Sequence, residues 1–494
     1  MSDTLPSTAT GSVPSSRAKR SRGTAIILFL SLGGLSFAVL QSLVAPALGT
    51  IGKDLGVATT DASWVLTAYL LSAAVLTPIL GRLGDMVGKR KVIIVVLVLL
   101  LAGTVLAALA PNLGVLIVGR ILQGAAGAVM PLSIGIVRDE LPKDRVSVTI
   151  GLLSAIFGIG AGVGIVAAGP IVDALSWHWL FWFPAVLVVI ALLGAIFGIP
   201  ESPVRTPGRL DWIGTIILSI GLVAVLLAIS EGEKWGWGDG KTIGLLILGG
   251  IALIVFVFVE LRVKEPLIDM RLFRHRGVWT SHIVALAFGF AMFGTFILVP
   301  TLLQLPTVLG YGFGKSVSDS GLYLLPTVVA MVIAGVVAGV LIRKIGPKIP
   351  MIIGGVAVAV AFLIPALGHS AEWQIIVSGI LTGLGIGMAL AAISNAIVES
   401  VPAAQTGEAI SANTVIRTVG SSIGTAVIAA VISSNVTPQG APTDDAFTIG
   451  FWVSAGVGAI AIIAALAAPS LRARRREAAE AGVDDFSELE HATK

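Results

Sequence analysis

Gly81-Arg82-Leu83-Gly84-Asp85-Met86-Val87-Gly88-Lys89-Arg90-Lys91 is the stretch that organises the rest of the chain. It lies between two apolar runs, residues 62–81 and 92–110, each near the roughly 20 residues that a helix needs to cross a bilayer. So short a connection makes the two helices antiparallel neighbours. Its glycines, Gly81 and Gly88 among them, let the helix ends approach. Asp85 can accept hydrogen bonds from the N-terminus of a neighbouring helix or pair with Arg90. The cations Lys89, Arg90 and Lys91 place this turn on the cytoplasmic side.

The whole chain has the character of these flanking runs. Of its 494 residues 56% are hydrophobic and 12% charged, against about 25% charged in a typical soluble domain. Mean hydropathy is +0.98. A water-soluble fold of this size could not hide that much apolar side chain, so the solvent is a bilayer. The 59 glycines suit close helix packing in lipid. The absence of cysteine excludes disulfides, thiolate metal sites and thiol nucleophiles. A net charge of +4 spread over short clusters does not describe a nucleic-acid surface.

Fourteen spans are predicted, near 24–48, 62–81, 92–110, 113–137, 147–172, 178–199, 212–230, 242–261, 278–303, 321–342, 349–367, 374–398, 408–434 and 447–468. With the N-terminus inside, 26 of the 32 lysines and arginines fall in cytoplasmic segments and only Lys53, Lys234, Lys241 and Lys315 fall outside. Both termini are therefore expected in the cytoplasm, in a multi-pass protein of the plasma (inner) membrane. The expected organisation is a disordered N-tail over 1–23, a six-helix bundle over 24–200, a linker with two extra helices over 201–277, a second six-helix bundle over 278–470 and a C-tail over 471–494. The first span is too long for the core of a cleaved signal peptide. Trp64, Trp177, Trp179, Trp235, Trp237, Trp373 and Trp452 sit at predicted outer ends and read as an aromatic belt.

Two arginines, Arg120 and Arg417, lie inside spans, at an insertion cost of about 2.5–3.5 kcal/mol each. Arg120, Gln123, Gly124 and Gly127 share one helix face, which must meet a cavity or a partner. Span 5 carries Gly158, Gly160, Gly162 and Gly164, which reads as a flexible, closely packed gating helix.

The turn at 81–91 matches the G-x-L-x-D-x-x-G-[RK]-[RK] signature of the major facilitator superfamily, and the Arg120 run resembles that family's fourth-span signature. Trp64, Thr67 and Tyr69, Asp211 to Gly214, Gly236-Trp237, Pro300, Leu303 and Gln304, and Asn413, Arg417, Gly420 and Gly424 resemble the fourteen-helix drug–proton antiporter branch. The resemblance spans about residues 24–470. It implies an all-α integral membrane protein of two six-helix bundles plus two central helices, working in multidrug efflux and antibiotic resistance. It also implies that Gly81, Asp85, Gly88, Lys89 and Arg90 form a conformational latch. Three departures stand out. The antiporter core of span 5 appears as Gly164 to Gly169 without its proline, span 1 carries Val39 to Val44 with no acid where the branch commonly has an Asp ahead of a Thr-Ile-Val-Asn-like stretch, and the weak second copy of the turn motif has Arg343 in place of an Asp.

All 28 carboxylates fall in loops, tails or span ends, with Asp173, Glu260, Glu399 and Glu408 nearest the membrane. A proton is the expected coupling ion, carried on His282, on an edge carboxylate such as Asp173, or on the substrate. Arg120, Gln123, Gln41, Tyr69, His282, Gln304, Asn413 and Arg417 are the substrate and coupling candidates. Two embedded cations without a fixed anion favour a neutral, anionic or zwitterionic amphiphile. The resulting expectation is a monomeric, alternating-access exporter of amphiphilic small molecules with no cofactor and no metal. A dedicated exporter or importer of one metabolite is the alternative. A membrane-embedded enzyme would need clustered His, Asp, Glu or Ser within the spans, and an ATP-driven pump a P-loop; neither pattern occurs.

Overall fold

A computed structural model describes residues 16–202, 204–438 and 441–470. Most of the expected N-tail and all of the C-tail lie outside these residues. The first helix already begins at Ser16, so the basic residues Arg17 to Arg22 belong to a helix and not to a tail.

Among the described residues fourteen helices are long and apolar enough to cross a membrane, as expected. Spans 1 to 6 are Gly23–Asp54, Trp64–Val87, Lys89–Ala108, Leu113–Glu140, Lys143–Ala174 and Trp179–Gly198. Spans 7 and 8 are Trp212–Gly232 and Gly240–Glu260. Spans 9 to 14 are Arg276–Gln304, Asp319–Ile345, Lys348–Leu367, Glu372–Val398, Ala403–Ser434 and Asp444–Ala467. Local chemistry sets the boundaries. Asn112, Asp211, Asp239, Ser316 and Thr443 cap the starts of spans 4, 7, 8, 10 and 14 with side-chain oxygens that accept backbone N–H groups. The turn between spans 2 and 3 is a single residue, Gly88, at φ 116°, a conformation that a Cβ would strain.

The two halves meet along two seams. Span 5 packs against spans 10 and 12, and spans 2 and 4 pack against span 13. Span 7 lies against both span 2 and span 13 and so touches both halves, while span 8 packs on span 7. Thr67 Oγ1 and Ser230 Oγ, 3.0 Å apart, tie span 7 to span 2. A small apolar cluster, with Leu218, Leu222 and Phe256 against Ala74 and Val415, seals the same junction.

Span 5 is an unbroken helix despite its glycines. Gly158 and Gly162 face span 10, where an added Cβ would meet Met331 and Val328. Gly160 and Gly164 face span 1, where it would meet Leu35 O and Val39 O at 3.0 Å. Spacing glycines by two gives one helix two small-residue faces on opposite sides, each with a period of four. The glycines are thus packing surfaces.

The aromatic belt needs one correction. Trp179, Trp237, Trp373 and Trp452 are exposed at the bundle surface. Trp177 is buried, stacks on His178 and donates from Nε1 to Asp54 Oδ2 at 2.6 Å. It is a core residue that pins the outer end of span 1 to that of span 6.

Candidate functional site: an ionic cluster beside a cavity between the halves

On the side of the turn between spans 2 and 3, the ends of spans 2, 4 and 13 converge on a sealed ionic cluster. Asp85 accepts from the backbone N–H groups of Gly407 (3.3 Å) and Glu408 (2.9 Å), at the start of span 13. Those groups have no partner within their own helix, and the helix dipole adds to their pull on a carboxylate. Gly81 permits the approach, because a Cβ there would collide with Ser411 and with Gly407 O at 2.9 Å. Lys89 Nζ lies 3.4 Å from Asp85 and 2.8 Å from Asp139 of span 4. Arg82 Nη1 lies 2.9 Å from Glu408 Oε2, across the boundary between the halves. Arg138 donates to Thr406 Oγ1 at 2.7 Å.

The connection between spans 6 and 7 is stitched into this cluster. The Ser202 hydroxyl donates to Asp139. The Thr206 N–H donates to Asp85 O at 2.8 Å, and its hydroxyl donates to Ala404 O at 2.9 Å. Arg90 does not pair with Asp85; it donates to the last carbonyls of span 6, Ala195 O and Ile196 O. Lys89 is the cation beside Asp85, because its side chain folds into the bundle one position earlier on the helix.

Further along the same helices, both halves line a cavity with about 660 Å³ free of protein atoms, counting its open mouth. The first half contributes Phe37, Gln41, Tyr69 and Phe157. The second contributes Phe293, Arg417 and the hydroxyl row Thr414, Thr418, Ser421, Ser422 and Thr425. A smaller cavity, about 410 Å³ counting its open mouth, continues toward the ionic cluster past Arg417, Thr414, Asn413 and Ser394. The guanidinium of Arg417 lies 5.1 Å from the Phe157 ring centre and is the only formal charge in either lining.

This architecture can be set against known proteins. The Major Facilitator Superfamily model matches residues 30–424, with a second match over 305–492. The chain belongs to the Major Facilitator Superfamily. It is 29% identical over 411 residues to multidrug transporter protein MdtP of Bacillus subtilis, covering 82% of this chain and 74% of that one. It is 27% identical over 399 residues to the tetracenomycin C resistance and export protein of Streptomyces glaucescens, covering 79% and 72%. The proton:xylose symporter XylE superposes with a TM-score of 0.63 at 14% identity, over 92% of this chain and 97% of that one, and shares the fold.

The sequence-predicted residues divide between the cavity walls and the helix packing around them. Gln41, Tyr69 and Arg417 line the larger cavity and Asn413 the smaller. Arg120 lines neither. It is buried, donates to Val65 O (3.1 Å), Leu40 O (3.4 Å) and Gln123 Oε1 (2.6 Å), and lies 4.2 Å from the Tyr69 ring centre. Gln123 passes the chain of bonds on to Thr104 at 3.1 Å. The polar face of span 4 therefore meets spans 1, 2 and 3, and Arg120 braces helices instead of facing the cavity. His282 stands behind Asn413, whose Nδ2 lies 3.0 Å from its Nδ1. An amide nitrogen only donates, so the imidazole is the acceptor there. Gln304 is exposed at the end of span 9, away from both cavities.

Sequence reasoning missed the Arg82–Glu408 pair, the aromatic walls Phe37 and Phe157, and the hydroxyl row. Only the last had a legible signal: Thr414, Thr418 and Ser422 recur every four residues, and Ser421 and Thr425 repeat the interval beside them.

Proposed function

We propose that the chain is a proton-coupled exporter that carries amphiphilic small molecules out of the cytoplasm by alternating access. In this reading it works as a monomer in the plasma membrane, with both termini cytoplasmic and no cofactor. The observation that carries the reading is the stacking of two features: a midplane cavity built by both halves, and a cytoplasmic latch that closes it from below. Rocking the halves apart at the latch would open the same cavity to the cytoplasm. Aromatic walls facing a row of hydroxyls and one guanidinium suit an amphiphilic passenger. Relatives named for multidrug transport and for antibiotic resistance and export support the direction. The test is accumulation of cationic, neutral and anionic fluorescent amphiphiles in inside-out vesicles with an imposed pH gradient, acidic inside. Export predicts gradient-dependent accumulation that collapses with a protonophore. Accumulation unaffected by the gradient would refute proton coupling, and gradient-driven loss from preloaded vesicles would refute the direction.

A further inference from the structure

The two membrane-embedded arginines differ in what surrounds them. Arg120 has three acceptors and an aromatic ring. Arg417 has no hydrogen-bond or ion-pair partner among the described residues, and its guanidinium borders both cavities. Neither lining contains a carboxylate. Two further polar groups on the larger cavity are also unspent. The Tyr69 hydroxyl is buried without a partner, and the Gln41 amide has none among the described residues. Leaving a buried polar group unpaired is costly, and an embedded cation costs more, so something that enters the cavity must serve them.

The hydroxyl row has the opposite sense. Thr414, Thr418, Ser421, Ser422 and Thr425 each donate their hydrogen to a carbonyl one turn back in span 13, at 2.9–3.1 Å. What they show the cavity is lone pairs. Donors are concentrated at Arg417, Tyr69 and Gln41, and acceptors run along span 13.

We infer that Arg417, with Tyr69 and Gln41, forms an anion-reading subsite, and that the substrates are amphiphilic organic acids. The acidic head pairs with the guanidinium fork, the apolar body lies against Phe37, Phe157 and Phe293, and hydroxyl or N–H substituents point at the span 13 row. A carboxylate is the best match, because its two oxygens complement the planar fork. A quaternary amine would meet a like charge with no carboxylate to offset it. This inference rests on the export reading and narrows it to one substrate class.

The test uses one aromatic body with three heads: 7-diethylaminocoumarin-3-carboxylate, its neutral methyl amide and a trimethylammonium-bearing amide. Transport is measured in proteoliposomes of the full chain with a pH gradient, and binding by the shift in melting temperature of the purified protein. The acid should be moved fastest and should raise the melting temperature. Arg417→Gln should lower acid transport by about 30-fold or more, as expected for loss of one partner of a buried charge pair, and so abolish the preference for the acid over the neutral amide. Arg417→Lys should recover part of the acid rate, because it keeps the charge without the fork. Movement of the cation but not the acid, or unchanged acid transport in Arg417→Gln, overturns the anion subsite and leaves export standing. Acid that stabilises wild type but not Arg417→Gln, with none of the three moved, keeps the subsite and overturns export. No movement and no stabilisation by any of them overturns both.

Discussion

Arg82 and Glu408 are 326 positions apart in sequence and 2.9 Å apart in space, each from a different half and each nearly sealed from solvent. Removing one partner of a buried pair leaves a bare charge, at a cost of about 3–5 kcal/mol to the state that contains the pair. In the export reading that state is the one closed to the cytoplasm. Arg82→Ala and Glu408→Gln should therefore shift the population toward the inward-open form. A cysteine at Ser394, which lines the lower cavity, should react at least about tenfold faster with a membrane-permeant maleimide in either variant, since a shift of 1.4 kcal/mol already suffices for that. The reversed pair, Arg82→Glu with Glu408→Arg, should restore slow labelling in part. Equal labelling in wild type and both single variants would remove the pair from the latch.

Asp85 holds the same junction by a different bond, a carboxylate set on the first N–H groups of span 13. Asp85→Asn keeps the shape and loses the charge, and with it the attraction to the helix dipole and to Lys89. Transport should fall with insertion and expression unchanged, and cysteine labelling at Ser394 should rise as for Arg82→Ala. Wild-type transport in Asp85→Asn would mean that the neutral hydrogen bonds suffice.

Arg120 and Arg417 should part company in stability. Arg120 closes spans 1, 2 and 4 through Leu40 O, Val65 O and Gln123, so Arg120→Ala strands the buried Gln123 Oε1, at about 1–3 kcal/mol, takes the second bond from two helix carbonyls and leaves a cavity. The purified variant should melt several degrees below wild type, and Arg120→Lys should recover little, because an ammonium cannot fork to acceptors on separate helices. Arg417→Gln should melt within about two degrees of wild type while losing acid transport, given that Arg417 makes no polar bond for the fold to lose. Equal loss of stability in both would contradict this division.

Orientation can be read on a natural background, because the chain has no cysteine. Ser202 is a poor reporter, since it is buried against Asp139. Pro207 in the same connection and Gly240 at the start of span 8 are exposed. A cysteine at Gly240 should label with an impermeant reagent in intact cells, and one at Pro207 only after permeabilisation. The reverse pattern would invert the topology.

How far the sequence could be read depended on the range of the interaction. The spans were legible because a bilayer imposes about 20 apolar residues on every crossing; that Asp85 would meet a helix N-terminus or a cation was legible from its chemistry, but not that the helix would be span 13, 322 residues on. The partner of Arg82 was not, since no pattern along the chain signals which carboxylate 326 residues away will meet it. Arg120 and Arg417 look alike as single cations in apolar runs. What separates them is helix rotation, which turns one toward the carbonyls of spans 1 and 2 and the other toward open space. Gln304 matched a motif yet stands at the end of its helix, where one turn of register removes it from the cavity.

The doubled glycine rows of span 5 bear on the speed of transport. Ridges of side chains that interlock between helices must disengage before the helices can slide, and that unlocking is an activation barrier. On span 5 the flank toward span 1 and the flank toward span 10 are both stripped of ridges at Gly160 and Gly164 and at Gly158 and Gly162. Side chains of the neighbours sit in those notches, Met331 and Val328 from span 10 and Ala38 and Ser42 from span 1, so sliding along span 5 means lifting them out. A larger residue at one of these glycines that left the folded resting state intact should slow turnover at unchanged substrate affinity.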